Sequence, residues 1–190
     1  LTIDDALKDI PWELMLETAY AGEIPFCVGR SVITSQDANP IRPPMRGPGK
    51  IKALLIADPT GNLSQAIREV EWLIDTLERD DRFFKPDVLI GTEDCTRIRL
   101  LNHLASGEYG LVHYSGHTHY ACERSAWQIK DGEITTDQLT NAVQMAPPAL
   151  VFSSSCESAE ASEAKPIDFE DQAFDLPSAF LQAGVEAYIG

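Results

Sequence analysis

A cysteine and a histidine each follow directly on an apolar run and a few small residues. Tyr109 to Tyr114 leads through Ser115-Gly116 into His117, and Ala149 to Ser153 leads through Ser154-Ser155 into Cys156, about forty residues further on. A thiol is a good nucleophile only as thiolate. An imidazole beside it lowers the thiol pKa and later returns a proton to the leaving amine. The pair could therefore carry acyl transfer. The small residues before each permit sharp turns and leave room for a substrate backbone. The plain alternative is a buried structural cysteine and a loop histidine that never meet, and the elements that deliver the two side chains decide between them.

Those elements read as an α/β fold. From Ile51 onward, short apolar runs alternate with stretches of helical period, the pattern of a parallel sheet with crossover helices. Lys52 to Ala57 is a first strand, stopped by the turn formers Asp58-Pro59-Thr60-Gly61-Asn62. Ser64 can cap the helix that follows, whose stripe is Ala66, Ile67, Val70, Leu73, Ile74 and Leu77. Val88 to Ile90 is the second strand, Thr96 to Ala105 a helix, and Tyr109 to Tyr114 the third strand. Ala126 to Ile129 is a short strand before the Asp131-Gly132 turn. Thr135 or Thr136 caps a helix through Leu139 and Val143, ended by Pro147-Pro148. Ala149 to Ser153 is the fourth strand, and Ala173 to Ala183 with Val185 to Ile189 is the last helix-strand pair. In doubly wound sheets the strands' carboxyl ends line the ligand crevice, and both candidates sit at such ends.

Residues 1–50 read as an N-terminal extension and linker: a helical pattern over Pro11 to Tyr20, a β-rich patch over Ile24 to Thr34, then a run with Pro40, Pro43, Pro44 and Pro48. Residues 51–190 form the core. Glu157 to Asp175 carries seven acidic residues against Lys165 alone, so it is expected to be a solvated, mobile loop. The net charge of -15 repels phosphate backbones and anionic headgroups, so neither nucleic acid nor a membrane is an expected partner. No run approaches the ~20 apolar residues of a membrane span, and no basic-then-apolar leader opens the sequence, which makes the cytoplasm the expected location. The four cysteines lie far apart without CxxC pairing and read as free thiols.

His113, His117, His119, Cys122 and Cys156 also read as a zinc set, since imidazole and thiolate are the preferred donors. His113, inside a strand, reads instead as a satisfied core histidine facing a helix layer. Asp58-Pro-Thr-Gly-Asn lacks the glycine spacing and lysine of a phosphate-binding loop, and Ser153 to Ser155 lacks the Gly-x-Ser-x-Gly of a nucleophile elbow.

In order and spacing, LVHYSGH, DGEITTDQL, ALVFSSSCES and AFLQAGVEAYIG resemble CHAT-domain peptidases of the caspase-like clan; IPWELM and Gly29-Arg30-Ser31 resemble the segment preceding that core. The resemblance implies a caspase-like three-layer sandwich, with a mostly parallel central sheet and helices on both faces. It implies a cysteine endopeptidase acting on a protein or peptide substrate, with His117 and Cys156 as catalytic residues. The backbone N–H groups of Thr118 and Cys156 would form the oxyanion hole. It needs no metal or cofactor. Family members commonly sit beside sensor modules, including in bacterial defence systems, so an activating protein or sensor domain is an expected partner, with Glu157 to Asp175 rearranging on activation. Two departures stand out: Thr118 replaces a usual glycine, and the chain stops at Gly190, where a further segment is expected, so it reads as truncated or as one subunit of a cleaved precursor. A catalytically inactive scaffold of the same fold is the alternative.

Overall fold

The computed structural model describes residues 2–4, 31–33, 49–121, 124–155 and 175–190, and the chain divides into two units, Leu1–Pro40 and Ile41–Gly190. In the first, β1 (Thr2–Asp4) pairs in parallel with β2 (Ser31–Ile33), Thr2 opposite Ser31. The helical pattern over Pro11 to Tyr20 lies outside the described residues.

The second unit runs β3 (Ala53–Ala57), α1 (Ser64–Glu78), β4 (Asp87–Ile90), the short α2 (Gly91–Asp94), α3 (Arg97–Ala105), β5 (Leu111–Ser115), β6 (Thr118–Ala121), β7 (Arg124–Ile129), β8 (Gly132–Thr135), α4 (Thr136–Val143), β9 (Leu150–Ser154), α5 (Asp175–Gln182) and β10 (Ala187–Ile189). Five strands form one parallel sheet in the order β10-β9-β5-β3-β4. From β3 the chain first steps to β4, then returns past β3 to β5 and on to β9 and β10. Right-handed crossovers then require helices on opposite faces. The core obeys this: Ala53, Leu55 and Ala57 pack with Ala66, Val70 and Leu77 of α1. Leu54 and Ile56 pack with Leu100 and Leu104 of α3, Leu139 and Val143 of α4, and Leu176 and Phe180 of α5. Covered on both faces, β3 is fully buried, as a central parallel strand must be.

Local chemistry sets the boundaries. The Thr96 side chain accepts from Arg99 N–H to open α3. Thr135 and Gln138 form a reciprocal capping box at α4, satisfying two orphan donors. Ser64 does not cap α1: it is the first helical residue, and Asp58 Oδ1 instead accepts from Asn62 N–H (2.8 Å) and Leu63 N–H (2.9 Å). Sequence anticipated one strand between β5 and α4, but a three-stranded antiparallel sheet, β6-β7-β8, stands there. Its anchor is Trp127, fully buried and stacked on Tyr114 with ring centroids 4.2 Å apart.

Candidate functional site

Strands β5 and β9 are hydrogen-bonded neighbours in parallel register, Leu111 opposite Leu150 and Ser115 opposite Ser154. The pairing runs one residue past the strand, since Gly116 N–H donates to Ser154 O at 3.2 Å. Parallel neighbours lie ~4.8 Å apart, so both chains leave the same sheet edge side by side. His117 follows at once on one of them. Cys156, two positions past Ser154, lies outside the described residues, as do Cys122, Cys27 and most of the acidic segment from Glu157.

The turn into His117 is held from below. Tyr114 is fully buried, and its hydroxyl donates to the His117 carbonyl at 2.5 Å, with Gln128 O at 3.2 Å as a weaker second acceptor. This phenol also accounts for Gly116: a Cβ there would lie 2.6 Å from Tyr114 Oη and 3.0 Å from Pro59 Cδ. The glycine is required by that close approach.

Thr118 opens β6 and is 2% exposed. Its replacement of glycine carries no strain, because among the described residues the one non-glycine with positive φ is Asp58 (50°). Gln128 N–H donates to His117 O at 2.9 Å, so the next pair, Thr118 with Trp127, is of the kind without cross-strand hydrogen bonds. The alternation turns the Thr118 N–H away from β7. Its Oγ1 is buried without a partner among the described residues.

On the His117 ring, Nε2 lies 3.0 Å from Asn62 Oδ1. Asn62 ends the loop after β3, and this loop and the one after β5 depart where the strand order reverses, the place at which open α/β sheets bind ligands. Sequence reasoning dismissed Asp58 to Asn62 as turn formers unfit for phosphate. The signal it passed over was position: the loop leaves the carboxyl end of the strand beside the one that delivers His117.

The remaining candidates separate from this edge. His113 is 3% exposed on the α1 face, its ring tilted against Phe152 with centroids 5.1 Å apart, and Glu69 Oε1 lies 3.3 Å from its Nε2 but out of line for a hydrogen bond. It is therefore a core histidine, as expected, yet not hydrogen-bonded through Nε2 among the described residues; the Glu69 carboxylate accepts instead from Ser115 Oγ at 2.6 Å. Burial lowers the His113 pKa and Glu69 opposes that shift. His119 faces Glu133, 3.1 Å away. Among the described residues no three His, Cys, Asp or Glu side chains converge as metal ligands, and no helix is long and apolar enough to cross a membrane. Cys95 is free and buried; desolvation first, then the Asp94 and Asp58 charges, push its thiol up to about 12, so it is no nucleophile.

The family model for the CHAT domain matches residues 1–190. The chain belongs to the CHAT-domain family. No curated protein matches it. CHAT domains are related to caspase-like cysteine peptidases, and the three layers described above, helix, parallel sheet and helices, fit a caspase-like sandwich. In this CHAT domain the carboxyl ends of β3, β5 and β9 lie side by side at one edge of the sheet.

Proposed function

We propose that this CHAT domain is a cysteine endopeptidase in which Cys156 is the nucleophile and His117 its base. The observation that carries the reading is the β5–β9 register: residues two beyond Ser115 and two beyond Ser154 start from paired positions on one open edge. In the reaction the Cys156 thiolate attacks the scissile carbonyl carbon, and the carbonyl π electrons move onto oxygen. The N–H groups of Thr118 and Cys156 hold that oxyanion. Collapse of the tetrahedral species expels the amine, which takes a proton from the His117 imidazolium. The neutral imidazole then deprotonates water, which attacks the thioester and releases the acid and the thiolate. Support for the Thr118 role comes from the strand ladder, which leaves that N–H unengaged by β7. No step requires a metal or cofactor. The substrate is a polypeptide, the setting cytoplasmic, and control by a sensor module in a defence system is the family-level expectation.

An electrophilic peptide ketone tests the reading. It labels the wild-type chain at Cys156, fails on Cys156→Ala, and reacts ~10²-fold more slowly with His117→Ala. Labelling rates equal to those of an ordinary surface thiol would reduce the chain to the inactive-scaffold alternative.

A further inference from the structure

The loop Asp58-Pro59-Thr60-Gly61-Asn62 carries more internal order than a connector needs. Asp58 adopts φ 50°, and its carboxylate accepts the N–H groups of Asn62 and Leu63, fixing the backbone at Asn62. Gly61 has φ 79°, and a Cβ there would meet Thr92 Cγ2 at 2.9 Å. Outside contacts tie the loop on two sides: Asp58 N–H donates to Ser115 O at 2.9 Å, and Pro59 O accepts from Lys130 N–H at 3.1 Å. The first joins it to the end of β5, the second to the turn between β7 and β8. Both flank His117. Within the loop, Thr60 Oγ1 donates to Asn62 Oδ1 at 2.7 Å, which leaves the amide oxygen aimed at His117 Nε2, 3.0 Å away.

We propose that Asn62 is a positioning residue for His117, its side-chain oxygen holding the imidazole in the tautomer protonated at Nε2. The inference rests on the reading of His117 as the base, and adds to it which nitrogen works. An amide oxygen only accepts, so Nε2 carries the proton and Nδ1 carries the lone pair. Nδ1 has no partner among the described residues. The ring nitrogen that exchanges a proton with thiol, amine and water is therefore Nδ1, and the hydrogen bond at the far nitrogen sets tautomer and ring plane. Asp58, Thr60 and Gly61 then act one step further out, holding the amide that holds the ring.

The test uses the full 190-residue chain carrying Cys156→Ala, labelled with nitrogen-15 and observed above pH 8 by long-range proton–nitrogen spectra, with His117→Gln assigning the ring. The expected result is an Nε2-protonated His117 whose averaged nitrogen shifts move toward the free-imidazole mixture in Asn62→Leu and stay in place in Asn62→Asp, which keeps an acceptor oxygen. A ring protonated at Nδ1 in the parent overturns the proposal without any variant having to fold. Shifts unmoved in a folded Asn62→Leu protein also overturn it. In parallel, iodoacetamide alkylation of Cys156 at pH 6 in the chain with Cys156 intact is expected to slow about tenfold in Asn62→Leu and to recover in Asn62→Asp. If Cys156 reacts as an ordinary thiol in every chain while the tautomer responds, the peptidase reading fails and the Asn62 contact stands. If Cys156 is activated and neither measurement responds to Asn62, the reverse holds.

Discussion

A single hydroxyl determines how the chain turns from β5 into the candidate site. Tyr114 Oη reaches the His117 carbonyl from inside the core, and Gly116 is bare because the phenol occupies the space of its side chain. Tyr114→Phe leaves that carbonyl with the Gln128 amide alone. It is expected to cost about 1 kcal/mol in urea denaturation, the usual net worth of such a bond, and to slow Cys156 labelling while leaving the stacking on Trp127 in place. At this scale the sequence was half legible. His117 stood out by residue type and by the run preceding it, whereas Asn62 did not, because an asparagine among turn formers is ordinary and its role exists only once β3 and β5 are neighbours. Gly116 was anticipated as permissive. Its actual reason, a tyrosine two positions earlier folding beneath the turn, involves χ angles that spacing does not encode.

Among the elements, the crossover helices and parallel strands were readable because burial on both faces demands unbroken apolar runs, as in Ala53 to Ala57. The β6-β7-β8 sheet was mostly hidden. In four-residue β8 the one buried side chain is Ile134, and β6 carries Thr118 and His119 rather than an apolar run, so neither has a strand's signature. Where α1 meets β5, buried His113 gives a pH prediction. Its folded pKa is lowered by desolvation, against the Glu69 carboxylate, while the unfolded chain protonates near ~6.5. Between the folded value and that figure the unfolded state binds more protons, so stability is full above about 6.5 and declines as pH falls through the window. Urea denaturation at a series of pH values is expected to show this slope, up to ~1.4 kcal/mol per unit. His113→Leu is expected to flatten it; an unchanged slope would assign the dependence to another group.

Across the whole molecule, the ends of the sheet do different work. At the amino ends, Lys52 Nζ lies 2.9 Å from Asp87 and 2.5 Å from Glu108. The Tyr109 hydroxyl donates to Asp87 at 2.6 Å, and His103 Nδ1 sits 2.6 Å from the same phenol oxygen. Burial pushes the Asp87 carboxyl up, but the hydrogen bonds from Tyr109 and Lys52 outweigh it and hold it below the usual range. A depressed carboxylate adds stability above its unfolded pKa, lost as pH falls through the folded value. Tyr109→Phe removes one of those donors, so the acid-unfolding midpoint, followed by circular dichroism, is expected to move to higher pH. Labelling at Cys156 should not change, the network lying at the far end of the strands. The stacked pair beneath the His117 turn has a practical consequence as well. Trp127 is shielded from solvent, whereas Trp72 is 65% exposed. An aqueous quencher will silence Trp72 ahead of Trp127, and once Trp12 is replaced by phenylalanine the remaining emission is that of Trp127, its wavelength reporting any displacement of the ring stacked on it. The protein thus carries an intrinsic fluorophore directly beneath the turn that delivers His117, able to register a change at that turn without an attached dye.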